Sequence, residues 1–347
     1  YEIPLRLVGS EMCIRDRYVC IFPNRRWLIN LFEEVTTMKK PELLVTPLSV
    51  DHVKDLLEAG ADAFVIGEQK FGLRLAGDFS VVEVEEATAL IHAAGKKVYV
   101  AVNAIFHNDR LESLDIYLQE MQRIGVDALL FGDPAVVVAV RELGITIPLH
   151  WSAETIATNW FQVNYWGLRG SERTVLAREL SVDEVLEIKE NTKHEIEVQV
   201  HGMTCMFQSK RSLLGNYFLY REEALEIENR KDNKNMFLHD KERKNKYPIY
   251  EDVNGTHIFS PTDMCIIEEL TELFEAGVDS FKIDGVLQSY DYVVTVTNLY
   301  RQAIDAYFDN GEDAYDDLKE SLFEQVEAIQ PALRPLDTGF IFKETVY

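Results

Sequence analysis

One short pattern, repeated along the chain, constrains the fold more than any other feature. It reads EAGADAFVIG at residues 58–67, RIGVDALLFG at 123–132 and EAGVDSFKID at 275–284. In each copy a glycine stands where an amphipathic helix would end, because glycine readily adopts the left-handed conformation that terminates helices. The apolar run that follows is typical of a strand covered on both faces. The pattern therefore predicts helix-to-strand joints in a repeating βα unit.

Predicted strands and helices alternate along the chain from Met38. The strands are predicted at residues 42–48, 63–68, 97–103, 128–133, 147–153, 174–179, 196–202 and 280–285. The helices are predicted at 50–59, 81–94, 110–124, 134–143, 155–167, 181–191, 262–276 and from 287, with a last acidic helix at 311–329. Eight alternating units favour the α/β class and a (β/α)8 TIM-like barrel, although a doubly wound open sheet has the same local pattern.

A long insertion follows the predicted seventh strand. It covers residues 209–260 and combines a basic run with a segment in which Asn254-Gly255, between β-prone flanks, predicts a hairpin. Insertions of this length are often functional, but acidic residues interleaved with the basic ones leave a solvated charged surface as the alternative. We expect one barrel domain at 38–330 that contains this insertion, and a C-terminal tail at 331–347.

The first 37 residues are predicted to lie outside the barrel. The string LVGSEMCIRDR at 7–17 looks like a translated sequencing adapter. A targeting segment is the alternative for the basic, apolar residues that follow, but they lack a tidy cleavage site. We expect residues 1–37 to be a non-native extension with Met38 as the natural start. On that basis Cys13 and Cys20 take no part in the chemistry.

The composition narrows the class of protein. A formal net charge of −24 repels nucleic acid at long range, which disfavours nonspecific RNA or DNA binding by this chain alone. The sequence contains no apolar run of the roughly 18 residues that a membrane helix needs. Its four cysteines are too few and too scattered for a disulfide framework. A cytoplasmic protein without membrane contact is expected.

Polar side chains gather at the predicted carboxyl ends of the strands, which is where barrels of this type place their active sites. They are Glu68, Asn103, Asp133, His150, Ser152, Glu154, Arg178, Glu179, His201, Lys282 and Asp284. Burying such groups unpaired is costly, so we expect them to contact one another or a ligand. Lys282 and Asp284 alternate with apolar neighbours, which predicts that both point into the barrel.

Single members of this set have structural alternatives. Arg178 and Glu179 could form a structural ion pair, and His150 could be a hydrogen-bonded core histidine. Gly202 permits close backbone approach to a ligand beside His201. Cys205 alone is more often a small packed side chain than a nucleophile or a metal ligand. The common nucleotide, phosphate and serine-hydrolase motifs are absent from the sequence, and so is C-x-x-C.

Several segments resemble the peptidase U32 family of collagenase-like peptidases. They include LHWSAETIATN at 149–159, EVQVHGMTC at 197–205, FSPTDMCIIEEL at 259–270 and DSFKIDG at 279–285, in that order. The resemblance implies a historical peptidase label. It also implies similarity to hydroxylases that form 5-hydroxyuridine at the tRNA wobble position using prephenate, and that hold a four-cysteine iron–sulfur cluster.

The cluster signature is incomplete in this chain. Cys205 and Cys265 match two ligand positions by resemblance, but Ser212 stands at the second position, and a hydroxyl is a poor ligand for iron beside thiolate. We therefore expect no iron–sulfur cluster in this chain alone. The resemblance implies a short paralogue that works beside a longer, cluster-bearing member of the family and contacts tRNA through their complex.

The resulting functional expectation is a subunit in wobble-uridine 5-hydroxylation. His201, Lys282, Asp284, His150 and Glu154 are the candidate catalytic residues of a small-molecule pocket. Asn103, Ser152, Arg178, Glu179 and Gly202 are the candidate substrate-binding residues. A peptidase using Cys205 with His201, and a non-catalytic scaffold subunit, remain the alternatives.

Overall fold

The computed structural model describes residues 39–153, 156–222, 236–240, 242 and 244–343. The predictions for residues 1–37 and for Glu154 lie outside these ranges and stay predictions.

The described chain alternates strands and helices. The strands are β1 Glu42–Val45, β2 Ala63–Ile66, β3 Lys97–Val102, β4 Ala128–Phe131, β5 Leu149–Trp151, β6 Ser171–Val175, β7 Glu195–Ser209, β8 Phe237–His239, β9 Lys246–Asp252, β10 Gly255–Cys265, β11 Ser280–Ile283 and β12 Leu336–Asp337. The helices are α1 Val50–Glu58, α2 Val81–Ala93, α3 Leu111–Ile124, α4 Pro134–Leu143, α5 Trp160–Gly167, α6 Val182–Glu190, α7 Leu213–Tyr220, α8 Thr271–Glu275, α9 Tyr290–Asn310 and α10 Glu312–Ile329.

Eight parallel strands, β1 to β7 and β11, close into a barrel. The ring closes at β11, where Ser280 lies opposite Glu42 of β1 on one side and Glu197 of β7 on the other. An open doubly wound sheet would leave two edge strands here. The predicted (β/α)8 barrel is therefore confirmed.

The repeated glycines end helices as the sequence predicts. Gly125 follows α3 with φ of 82°, and Gly60 and Gly277 stand at the two other joints with φ of 98° and 69°. Side chains cap the N-termini of other helices of the repeat: Ser80 at α2 and Ser181 at α6 each form a capping box with a glutamate three residues later. Local sequence thus sets both ends of the repeating unit.

The barrel interior differs from its outer face. Strand residues that point outward, such as Phe64, Leu129 and Phe281, are fully buried under the helices. The inward set contains small or medium apolar side chains, among them Ala63, Ala101 and Leu130, next to a layer of charged ones. Polar groups are therefore concentrated along the barrel axis.

The insertion forms a β-arm, defined here as residues 203–222 and 246–265. Strand β7 runs on past the barrel to Ser209 and pairs with β10 in antiparallel fashion, and β10 pairs with β9 across the predicted Asn254-Gly255 turn. The predicted hairpin is confirmed. The prediction that the seventh strand ends at 202 is wrong, because the backbone from Met203 to Ser209 pairs with β10.

Two further predictions need correction or extension. The helix predicted at 262–276 is wrong over 262–265, where β10 pairs with β7, and α8 covers only Thr271–Glu275. The segment after α10 packs back on the barrel: β12 pairs with β10, and the Val182 amide donates to the carbonyl of Ile341 at 2.9 Å.

Candidate functional site

A small pocket opens at the carboxyl ends of the barrel strands. Its cavity of about 30 Å3 has room for roughly two water molecules. The polar part of its lining consists of Thr46, Arg74, Asn103, Ser152, Arg178, Lys282 and Asp284. The structure therefore brings together five residues that the sequence singled out: Asn103, Ser152, Arg178, Lys282 and Asp284.

Asp284 is the centre of the charged groups in this pocket. Its carboxylate lies 3.4 Å from Nζ of Lys282 and 3.7 Å from Nη2 of Arg178, and it accepts a 3.1 Å hydrogen bond from the amide of Val286. The Asp284 side chain is only 6% exposed. Because solvent screens little at such a site, these contacts hold the two cations over the cavity.

Arg74 adds a third cation to the pocket. Its backbone has φ of 49°, an uncommon conformation for a residue other than glycine, and its Nη1 donates to Oε1 of Gln208 on the arm at 3.0 Å. The preceding residue is held in place, since the amide of Leu73 donates to Oδ1 of Asn103 at 2.9 Å. Strained backbone of this kind clusters at ligand sites.

The lining carries three cations, Arg74, Arg178 and Lys282, against one carboxylate, Asp284. This balance runs against the net charge of −24 for the whole chain. A partly dry cavity with an excess of guanidinium and ammonium groups favours a small anion, because Arg and Lys donate charge-assisted hydrogen bonds to carboxylate or phosphate oxygens.

Beneath the pocket lies Glu197, which the sequence predictions missed. Its side chain is fully buried, and neither carboxylate oxygen has a hydrogen-bond partner among the described residues. Burial raises the pKa of this carboxyl, while the charges of Lys282 and Arg173 lower it. The sequence signal for it is the segment EIEVQV at 195–200, in which Glu195, Glu197 and Gln199 alternate with apolar residues and so share one face of the strand.

A buried ion network fills the lower barrel around Arg173. Its guanidinium contacts Glu42 at 2.5 Å, Glu195 at 2.7 Å and Glu197 at 3.9 Å, and it is 3% exposed. Tyr99 donates its hydroxyl to Glu42 at 2.6 Å. These residues form the polar floor on which the pocket rests.

His150 belongs to this lower layer and not to the pocket lining. Its ring meets that of Tyr99 edge-on with centroids 4.7 Å apart. Burial and, less strongly, the charges of Arg173 and Lys97 hold the pKa of His150 well below its usual value. The residue lies two positions below Ser152 on the same inward face of the chain, which places it deeper than the sequence predicted.

His201 faces the opposite way, toward the helices. Its Nε2 lies 2.7 Å from the hydroxyl of Tyr292 on α9, and its side chain is fully buried. Burial lowers the pKa of His201 to about 3, with a smaller contribution from Arg334. The expectation that His201 shares a pocket with Lys282 and Asp284 is therefore wrong.

A bulge explains this reversal. Gln199 lies opposite Lys282, but the next matched pair is His201 with Ile283, so β7 gains one residue there. One extra residue turns the following side chains to the other face of the sheet. Gly202 then adopts φ of 111°, and a Cβ at this position would collide with the carbonyl oxygen of Asp284. The glycine serves close strand packing beneath the pocket.

Three other predicted residues, Glu68, Asp133 and Glu179, fall outside the lining. Glu179 is exposed, and its neighbour Arg178 pairs with Asp284. Asp133, which was placed at a strand end, caps α4 by accepting the amide of Ala135 at 2.9 Å.

The two cysteines of the described chain lie apart on the arm. Cys205 stands opposite Phe259 on β10, whereas Cys265 stands opposite His201, four residues lower on β7, or roughly 13 Å of extended chain. Cys265 is buried beside the Tyr300 hydroxyl at 3.7 Å, and burial raises the pKa of its thiol to about 11. Within the described residues no group of three or more metal-ligating side chains occurs. These thiols do not fit an iron–sulfur cluster held by this chain.

The fold and the site define a class of protein: a (β/α)8 barrel with a cationic pocket at its mouth and a β-arm beside that mouth. The chain belongs to peptidase family U32, whose model matches residues 48–346.

Named relatives are similar over most of the chain. It is 59% identical over 310 residues to tRNA hydroxylation protein P2 of Bacillus subtilis (strain 168), covering 89% of this chain and 100% of that protein. It is 33% identical over 270 residues to tRNA hydroxylation protein P1 of the same organism, covering 78% of this chain and 64% of P1. It is 30% identical over 276 residues to the 23S rRNA 5-hydroxycytidine C2501 synthase of Escherichia coli (strain K12), covering 78% and 40%.

Among the described helices, none combines the length and apolar character needed to cross a bilayer.

Proposed function

We propose that this protein is a subunit in the hydroxylation of tRNA, forming 5-hydroxyuridine at the wobble position. The observation that carries the proposal is the 59% identity to tRNA hydroxylation protein P2, which extends over the whole of that relative. The similarity to an rRNA 5-hydroxycytidine synthase supports the same chemistry, oxygen insertion at a pyrimidine ring.

In this proposal the pocket binds a small organic anion that takes part in the reaction. Arg178 and Lys282 line the cavity beside Asp284, and their positive charges attract an anion. The cavity of about 30 Å3 is smaller than a metabolite. A ligand of more than a few atoms therefore requires lining side chains to move.

The redox cofactor is proposed to come from a second chain. Cys205 and Cys265 are too far apart along the arm to hold a cluster, and Cys265 has a thiol whose pKa burial raises. Bacillus subtilis has two named relatives, P2 and the longer P1. We infer that a short chain of this kind works with a longer, cluster-bearing paralogue and contributes the anion pocket and the arm.

The peptidase alternative has no geometric support. His201 is buried against Tyr292, and the thiol of Cys205 contacts the carbonyl of Phe207 at 3.4 Å. A nucleophile and its base must lie within hydrogen-bond reach, and four residues of extended strand separate these two.

The test is a deletion of the gene followed by mass spectrometry of total tRNA nucleosides. We expect the 5-hydroxyuridine family of nucleosides to fall and a plasmid copy of the wild-type gene to restore them. Unchanged nucleosides in the deletion strain, in the absence of a second gene of this type, would refute the proposal.

A further inference from the structure

One stretch of the arm has a charge opposite to that of the protein. Residues 203–221 contain Lys210, Arg211 and Arg221 and no Asp or Glu, although 59 of the 347 residues of the whole chain are acidic. The stretch ends at Glu222. Burial and, less strongly, the charge of Arg110 lower the pKa of Lys210; the acidic groups from other elements that face it, Asp109 and Asp252, only partly offset this lowering.

Helix α7, within this stretch, is fixed firmly on the arm. The amide of Leu214 donates to the buried carboxylate of Glu251 at 2.9 Å, and the amide of Leu213 donates to Oγ1 of Thr256 at 3.0 Å. These contacts satisfy amides at the helix N-terminus that have no partner within the helix. With Leu214 buried against the hairpin, the opposite face of α7 is directed outward.

Helix α7 also carries exposed aromatic rings. Tyr217 and Tyr220 are 53% and 87% exposed, and they are three residues apart, so they lie on the same side of the helix. The Arg221 guanidinium lies 6.0 Å from the Tyr217 ring centre. Phe207, on the β7 part of the arm, is 47% exposed. Exposed rings and cations therefore lie together on this part of the arm.

The same surface adjoins the pocket. Gln208 accepts the hydrogen bond from Arg74, which lines the cavity, and Lys210 donates to the carbonyl of Ile105 in the loop after β3 at 3.0 Å. Arg110, in the turn just before α3, reaches the arm and donates to the Val253 carbonyl at 3.4 Å. A molecule held on the arm would therefore extend toward the barrel mouth.

We propose that the α7 face of the arm, with Tyr217, Tyr220, Lys210 and Arg211, binds an unpaired RNA loop by stacking bases on the two tyrosine rings. The inference rests on the proposed function and deepens it by naming the surface that contacts the tRNA. Charge complementarity selects this occupant: the arm segment with Lys210, Arg211 and Arg221 carries no Asp or Glu of its own, cations attract phosphates, and every base offers a flat face to an aromatic ring. The acid-free stretch also explains how a chain of net charge −24 can approach a polyanion at one place.

The experiment measures binding of a synthetic RNA hairpin, with a central uridine in its unpaired loop, to the full chain and to its complex with the longer paralogue if the two co-purify. Tyr220→Ala is expected to weaken binding roughly tenfold, because one stacked base contributes about 1–3 kcal/mol. Tyr220→Phe keeps the ring and is expected to stay within about twofold. The double variant Lys210→Gln/Arg211→Gln should reduce the slope of log affinity against log salt by about 1.4.

The chain offers a matched control on α5. Tyr165 is 50% exposed with the Arg169 guanidinium 3.4 Å from its ring centre, so Tyr165→Ala removes a similar exposed pair outside the arm. This variant should bind the hairpin like the wild type. Thermal unfolding of each variant checks that the fold is kept.

Three results would overturn the inference. The first is that the wild type does not bind the hairpin, either alone or in the complex; the second is that Tyr217→Ala and Tyr220→Ala bind it with wild-type affinity. The third is that these variants bind RNA normally but no longer associate with the paralogue. The last would assign the surface to a protein partner. If the deletion strain retains 5-hydroxyuridine, the proposed function fails as well. If hydroxylation depends on the chain but the tyrosine variants bind RNA normally, only the arm assignment fails.

Discussion

Lys282 and Asp284 share one side of the barrel mouth, with Nζ of the lysine 3.4 Å from the carboxylate. Both lie above Glu197, whose own oxygens have no hydrogen-bond partner in the described chain. The arrangement places a cation between two carboxyl groups at different depths, one at the pocket wall and one below it. The charge of Lys282 is therefore central to the balance of the site.

Replacing Lys282 tests the anion pocket. Lys282→Met keeps most of the side-chain volume and removes the charge, so we expect 5-hydroxyuridine in a complemented deletion strain to fall by about tenfold or more, the loss of one hydrogen bond to a charged group. The measurement is nucleoside mass spectrometry. Lys319→Met, which removes an exposed lysine paired with Asp316, is the control and should complement fully. Full complementation by Lys282→Met would exclude an essential role for this cation.

Arg173 is predicted to hold the barrel floor together. Arg173→Met leaves fully buried Glu197 and half-buried Glu42 without their shared cation, so we expect the free energy of unfolding to drop by about 3–5 kcal/mol. Urea denaturation measures it. The control is Arg123→Met, in which a 50% exposed arginine loses its pairs with Glu85 and Glu120; because solvent screens these pairs, the variant should unfold close to the wild-type urea midpoint. Equal losses in both variants would contradict the assignment of a buried network.

Gly202 is predicted to tolerate no side chain. Gly202→Ala combines a left-handed backbone with a collision against the Asp284 carbonyl oxygen, so we expect a loss of about 2–4 kcal/mol in unfolding free energy. Gly144→Ala has a left-handed backbone too, with φ of 66°, but open space around its Cβ, and should cost only about 1 kcal/mol. Similar costs for the two variants would show that close strand approach at Gly202 is unimportant.

His201 is predicted to make stability depend on pH. Its pKa of about 3 in the folded protein is below the ordinary value of 6.5. The unfolded chain therefore takes up a proton that the folded chain refuses, and stability is lost as pH falls from 6.5 toward 3. Between about pH 7 and about pH 5 the loss should be smaller in His201→Gln than in the wild type, by up to about 1.4 kcal/mol per pH unit.

Exposed His107 provides the matching control for that titration. His107→Gln should retain the wild-type pH dependence in urea denaturation. An unchanged slope in His201→Gln would mean that this histidine is not held neutral by burial. His150, whose pKa is also lowered by burial, should keep part of the dependence in either variant.

The sequence was sufficient to predict the barrel and part of the pocket lining. Helix caps and glycine joints are local signals, so the strands were located within a few residues, and the alternation around Lys282 and Asp284 correctly predicted that they share a face. The depth of His150 was not predicted, because strand ends defined by composition do not fix how far each strand rises in the barrel.

The outward orientation of the His201 side chain could not be predicted from the sequence for a different reason. Alternation from Glu197 and Gln199 places His201 on the inner face, and only the register with β11 reveals the extra residue that turns it outward. The extension of β7 to Ser209 likewise depends on a partner strand more than 40 residues away in sequence, β10. Pairings of this kind are set by tertiary structure and leave no local pattern.

The most direct test of the whole account is the iron content of this chain and of its longer paralogue, purified anaerobically together and apart. The account predicts that the two chains co-purify, that iron and labile sulfide follow the longer chain, and that Cys205→Ala together with Cys265→Ala leaves the iron content of the complex unchanged. A stoichiometric cluster in this chain purified alone, lost in that double variant, would contradict it.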